Sequence, residues 1–145
     1  MRGFACIGLD NPKTAANVGA VCRAAHVYGA GLIVVSGQRF KRSATDTTKA
    51  WRHIPLIESL DVFDAIPFDC VPVAVDLVDG AHPLPRYVHP ERAFYIFGAE
   101  DATLGKRITD RCRDKIMVPT KFCMNLAATV NVILYDRMMK RQEAA

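Results

Sequence analysis

The strongest constraint on this chain's fold is a set of short, fully apolar runs, separated by segments with helical spacing. Residues 4–9, 32–35, 71–77 and 93–97 read as strands, and residues 115–118 as a fifth, weaker one. A half-exposed strand alternates apolar and polar residues. A strand that is apolar throughout is covered on both faces, as in parallel sheets whose crossovers are helices. Between the first two runs, Val18, Val21, Cys22 and Ala25 fall at i, i+3, i+4 and i+7, one face of a helix. Asn11-Pro12 reads as its start and Gly29 as its end. The last long element, Met124 to about Arg141, is apolar almost all round between Leu126 and Tyr135. Such a helix is buried on every side, and a single thin sheet covers only one of its faces, so a second subunit is expected over part of the rest. The chain therefore reads as α/β, a mostly parallel sheet flanked by helices. A single domain is expected over residues 1–141, with a frayed tail at 142–145.

Composition excludes several classes. Half the residues are apolar and 23% are charged, a globular balance rather than a disordered one. No apolar run approaches the roughly 18 residues that a membrane span needs. The opening MRGFACIGLD is broken by Gly8 and Asp10 and does not read as a signal peptide. Five scattered cysteines without a CxxC suit reduced thiols and a cytoplasmic location. The net charge of +4 is mild but uneven. Residues 39–53 hold Arg39, Lys41, Arg42, Lys49 and Arg52 against Asp46 alone, and a second basic cluster runs from Lys106 to Lys121. Residues 58–79 are acidic, with no Lys or Arg. Two basic segments suit either a nucleic-acid partner or a solvated surface. Gly29-Ala30-Gly31 precedes a strand rather than following one, so it is not a dinucleotide fingerprint. There is no P-loop and no GxSxG, and the four histidines show no zinc-type spacing, so no metal is expected.

Three stretches hold residues that a plain core would not choose: NPKTAANVGAVCRAAHVYGAG (11–31), YIFGAEDATLG (95–105) and VPTKFCMNLAATVNVILY (118–135). In this order they resemble the three signature motifs of the SPOUT methyltransferases, specifically the ribose 2′-O-methylating SpoU/TrmH branch. The resemblance spans nearly the whole chain. It implies an α/β domain with a deep C-terminal trefoil knot, S-adenosylmethionine (SAM) as methyl donor without a metal, a homodimer, and a ribose of tRNA or rRNA as acceptor. In length the chain is similar to the small members that methylate the wobble ribose of tRNA. The alternative is a non-catalytic RNA-binding or assembly factor that has kept the fold.

The resemblance also assigns residues. The pattern N-x-G-x-x-x-R is matched by Asn17, Gly19 and Arg23. Six residues place Asn17 and Arg23 about 120° apart around a regular helix, so they share one site only if Asn17 lies at an irregular first turn; otherwise they serve different surfaces. By resemblance Arg23 contacts the acceptor. A guanidinium stays charged in proteins, so orienting the hydroxyl and steadying a developing alkoxide suit it better than taking a proton. Gly98 lets backbone approach a ligand, and Glu100 stands at a strand's carboxyl end, where it would hold Arg23, Asn17 or the adjoining loop. The family's Ser-x-Asn appears as Cys123-Met124-Asn125; Asn125 would serve as helix cap, site amide or both. The cofactor loops map to Val75, Asp76 and Leu77, to Gly98, and to Val118, Cys123 and Met124.

Overall fold

The computed structural model describes residues 3–37 and 52–143. Among them seven strands form one sheet in which every pairing is parallel: β1 (Phe4–Asp10), β2 (Leu32–Ser36), β3 (Leu56–Ser59), β4 (Val71–Val75), β5 (His82–Pro83), β6 (Arg92–Phe97) and β7 (Asp114–Met117). Their order is β3-β2-β1-β6-β4-β7-β5. Three helices, α1 (Ala15–Val27), α2 (Lys106–Thr109) and α3 (Leu126–Glu143), accompany them, with 3₁₀ turns at Val62–Ala65 and Leu84–Arg86. The apolar runs behave as their composition requires. Ile7, Leu9, Tyr95 and Phe97 face a large core shared with α1 and α3, while Cys6, Val34, Phe94 and Ile96 face a smaller one closed by Val62, Leu104 and Ile108.

The local boundaries differ from the sequence reading, each for a visible reason. The first helix begins at Ala15 rather than at Asn11-Pro12. Thr14 is extended and accepts the Asn17 N–H on its hydroxyl (3.2 Å), as an N-cap does, whereas Asn11 turns with φ +54° and donates its N–H to Ser36 O (2.8 Å). The expected strand 71–77 stops at Val75, because Asp76 folds the chain back on itself: one carboxylate oxygen accepts the Leu77 N–H (2.7 Å) and the other the Leu104 N–H (2.6 Å). The last helix begins at Leu126, after Asn125 accepts the N–H groups of Ala127 (2.9 Å) and Ala128 (3.3 Å). β3 and the two-residue β5 were not anticipated. β3 carries exposed Ile57 and Glu58 on the sheet's edge, and β5 contains a proline.

α3 packs its Val130, Ile133 and Leu134 into the core that α1 fills with Val18, Val21, Ala24 and Ala25. Its far end is fixed by polar groups. Arg137, only 6% exposed, donates to the carbonyls of Pro90 and Glu91 (2.6 Å each), and His89 lies between the Tyr95 hydroxyl (2.6 Å) and the Asp136 carboxylate (2.8 Å). Burial lowers the pKa of His89, against the opposing pull of Asp136. Within one chain α3 is not covered all round: Ala128, Asn131 and Tyr135 are exposed. No described helix is long and apolar enough to cross a membrane.

The basic run at 39–53 lies outside the described residues except for Arg52 and His53. In the second basic cluster the three arginines are paired with acids, two of them distant in sequence and one adjacent. Arg107 pairs with Asp10 (3.0 Å), Arg111 with Asp61 (2.6 Å) and Arg113 with Asp114 (3.0 Å).

Candidate cofactor and catalytic site

At the carboxyl ends of β4, β6 and β7 the chain encloses a cavity of about 430 Å³, which the first turn of α3 closes from one side. Carboxyl ends of parallel strands are where open α/β sheets place ligands. All seven residues assigned to the cofactor line it: Val75, Asp76, Leu77, Gly98, Val118, Cys123 and Met124. Asp76 joins two of the three lining segments through its bond to the Leu104 N–H, so the wall is braced by its own carboxylate. Gly98 marks a close approach within that wall. An ideal Cβ there would stand 3.3 Å from the Ala102 carbonyl oxygen and 3.4 Å from the Leu104 side chain, tighter than most real contacts.

Of the four residues assigned to catalysis, the structure brings two together. Glu100 lines the cavity, accepts the side-chain N–H of Asn17 on one oxygen (2.5 Å) and the backbone N–H of Lys13 on the other (3.0 Å). Lys13 reaches Asp101 as well (4.0 Å). The start of α1 is thereby tied to the loop after β6. Asn17 is the third residue of a regular first turn, which settles the helical geometry: Arg23 lies on a different surface. Arg23 is exposed, does not line the cavity, and has no hydrogen bond or ion pair among the described residues. Asn125 does not line the cavity either; its side-chain oxygen caps α3. Sequence reasoning missed Thr103, Thr120 and Thr129, polar groups that line the cavity together with Asp101. Thr120 and Thr129 stand inside the third stretch, where their polarity amid apolar neighbours was the available signal.

The walls combine apolar side chains (Val75, Leu77, Phe97, Met124, Leu126) with a few polar groups, the usual make-up of a small-molecule site, and the volume is in the usual range of about 300–1,000 Å³. Among the described residues no group of three or more His, Cys, Asp or Glu could hold a metal ion. Both Glu100 oxygens already accept hydrogen bonds, so this carboxylate is built to position its neighbours.

The model of the SpoU rRNA Methylase family matches residues 5–135. The chain belongs to that family. Its fold is similar to the SpoU methyltransferase AviRb from Streptomyces viridochromogenes, at 20% identity over 99% of this chain and 62% of AviRb, with a TM-score of 0.85. AviRb has also been solved with AdoMet. The A. aeolicus TrmH/SpoU tRNA modifying enzyme is similar at 18% identity, over 99% of this chain and 78% of that one, with a TM-score of 0.84. A structure concerned with the 2-OH methylation of C/U34 on tRNA matches at 22% identity, over 98% and 93% of the two chains, with a TM-score of 0.82. This SpoU family chain spans about three fifths of the length of AviRb. No curated protein matches its sequence.

Proposed function

We propose that this SpoU family member transfers a methyl group from SAM to the 2′-hydroxyl of a ribose in tRNA or rRNA, with the wobble nucleotide of tRNA as the favoured target. The observation that carries this reading is the cavity lined by all seven residues assigned to the cofactor, with the Glu100–Asn17 pair at its edge. The target preference rests on the C/U34 structure, which this chain covers almost end to end.

The residues present fit SAM. The cavity has the volume of a nucleoside-sized ligand, Val75, Leu77, Met124 and Leu126 offer apolar surface to a purine, and Gly98 keeps a side chain out of a crowded wall. When bound, SAM supplies an electrophilic methyl. Glu100 holds Asn17 and the Lys13 N–H, and so fixes the start of α1 against the cavity's edge. Arg23, exposed on α1, orients the acceptor ribose and its phosphate and stabilises charge developing on the 2′-oxygen, a role that suits a fixed cation. Cys123 takes the place of the family serine in the wall; a thiol hydrogen-bonds weakly, so its backbone carries whatever contact that position makes. Asn125 contributes by seating the first turn of α3.

Because Arg23 lies off its own chain's cavity, we assign it to the cavity of a second copy. A two-fold dimer over the open face of α3 (Ala128, Asn131, Tyr135) would cover that face, carry each Arg23 across, and set two +4 charge sets side by side for RNA. The trefoil knot belongs to the same proposal. β7 pairs between β4 and β5, which are themselves joined by residues 76–81, and a strand placed there last would pass beneath that connection. A cytoplasmic location accords with the five free cysteines.

Calorimetric titration with SAM, followed by transfer of labelled methyl from SAM to bulk tRNA and rRNA, tests the function. Binding with transfer is expected. SAM-independent RNA binding without transfer would point instead to an assembly factor.

A further inference from the structure

One aromatic ring at the cavity's rim has no part in the chemistry above. Thr120 and Cys123 both line the cavity, yet Phe122 between them turns outward and is 83% exposed. The turn that holds it out is closed by hydrogen bonds. The Thr120 hydroxyl donates to the Phe122 carbonyl (2.7 Å), and the Thr120 N–H donates to the Val118 carbonyl (2.8 Å). Lys121, the preceding residue in the chain, is exposed too. Leu77, another lining residue, is 44% exposed, so the entrance is partly apolar.

An exposed aromatic ring on a hydrogen-bonded turn at the rim of a pocket, with an exposed lysine as its chain neighbour, matches one chemistry well. An unpaired nucleobase stacks on the ring while its phosphate meets the ammonium, and the contact tolerates any base because every base has a π-face. A base inside a duplex is already stacked and offers no free face. We propose that Phe122, with Lys121, is a stacking platform for an unpaired base beside the nucleotide whose ribose enters the cavity, so that the enzyme selects nucleotides in single-stranded loops over those in helices. This inference rests on the RNA methyltransferase reading and narrows its substrate class.

The test compares wild type, Phe122→Ala and Phe122→Trp by fluorescence anisotropy, with a labelled single-stranded oligoribonucleotide and a short RNA duplex as probes. Alanine is expected to weaken single-strand binding by about five- to a hundredfold, the range typical of a lost base stack. Duplex binding and SAM affinity stay unchanged, tryptophan restores the single-strand affinity, and in transfer assays KM for RNA rises while kcat holds. Unchanged single-strand binding in Phe122→Ala, or a loss that tryptophan does not rescue, overturns the platform. So does a loss of SAM affinity, which would place the ring in the cofactor wall, or a fall from dimer to monomer, which would place it against a second copy. If wild type transfers no methyl but alanine still weakens single-strand binding, the functional reading fails and the platform stands. If transfer occurs and alanine is silent in both assays, the platform alone fails.

Discussion

Replacing Glu100 with alanine removes two acceptors at once, the oxygen that takes the Asn17 side-chain N–H and the one that takes the Lys13 backbone N–H. Sheltered hydrogen bonds to a charged group contribute about 1.5–3 kcal/mol each, but exposed ionic contacts contribute only about 0–1 kcal/mol. Glu100 is exposed. The stability loss is therefore about 1 kcal/mol for the pair, a fall of about 3 °C in Tm for a chain of this size. The loss in rate is far larger, because the same two bonds fix the start of α1 against the cavity's edge. A displacement of about 1 Å at a site can cost about 10² in rate, so methyl transfer is expected to fall by about a hundredfold, with SAM affinity within a few-fold of wild type. Asn17→Ala breaks the same contact from the other side. Partners in one network do not add, so the double variant Glu100→Ala/Asn17→Ala should lose little more than Glu100→Ala alone. Single-turnover transfer to bulk tRNA, with melting curves as the folding control, measures all four corners of the cycle. Additive losses in the double variant, or wild-type turnover in Glu100→Ala, would refute the positioning role.

Cys123→Ser restores the residue usual in the family in a similar volume and should keep transfer within a few-fold of wild type; transfer abolished while SAM still binds would give the thiol a role of its own. Burial holds the folded pKa of His89 below its ordinary value, so the unfolded chain binds more protons as the pH drops. Stability from this site is full above about pH 6.5 and is lost as pH falls from there towards the folded value; urea midpoints should show that slope in wild type and a flatter one in His89→Gln. Val130 and Ile133 are fully buried within the single chain, so a charge at either unfolds the protomer and reports nothing on assembly. Tyr135→Glu, on the open face of α3, should instead give a folded monomer of about half the wild-type mass by light scattering, and a dimer that survives it would move the interface elsewhere.

The core of the fold was legible because burial on two faces leaves a direct mark on composition. β1, β2 and β6 are apolar at successive positions, and the Val18–Ala25 stripe of α1 is apolar at helical spacing. What composition could not show is pairing across long sequence distances. Arg107, Arg111 and Arg113 counted as free positive charge until the fold brought Asp10 and Asp61 to the first two and set Asp114 against the third. Arg137 is a charged residue that is nevertheless buried, because the distant carbonyls of Pro90 and Glu91 accept its N–H groups. The boundaries at Thr14, Asp76 and Asn125 are side-chain-to-backbone bonds, and several residues near each could have made them. In the site, the seven cofactor residues mapped from the three stretches all line the cavity, while helical spacing left open whether Arg23 and Asn17 share a surface. The bond from Asn17 to Glu100, 83 residues away, answers that question.

The central claim is methyl transfer to a ribose oxygen, aligned by residues of this chain. It is tested most directly by nucleoside mass spectrometry of RNA incubated with SAM and either wild type or Arg23→Ala. Wild type should yield a nucleoside whose added methyl stays with the sugar when the base is cleaved away. Arg23→Ala, which should bind SAM within a few-fold of wild type, should yield about 10²–10³-fold less of it, the usual loss when one preorganised donor is removed. A methyl found on the base, or equal yields from the two proteins, would contradict the account.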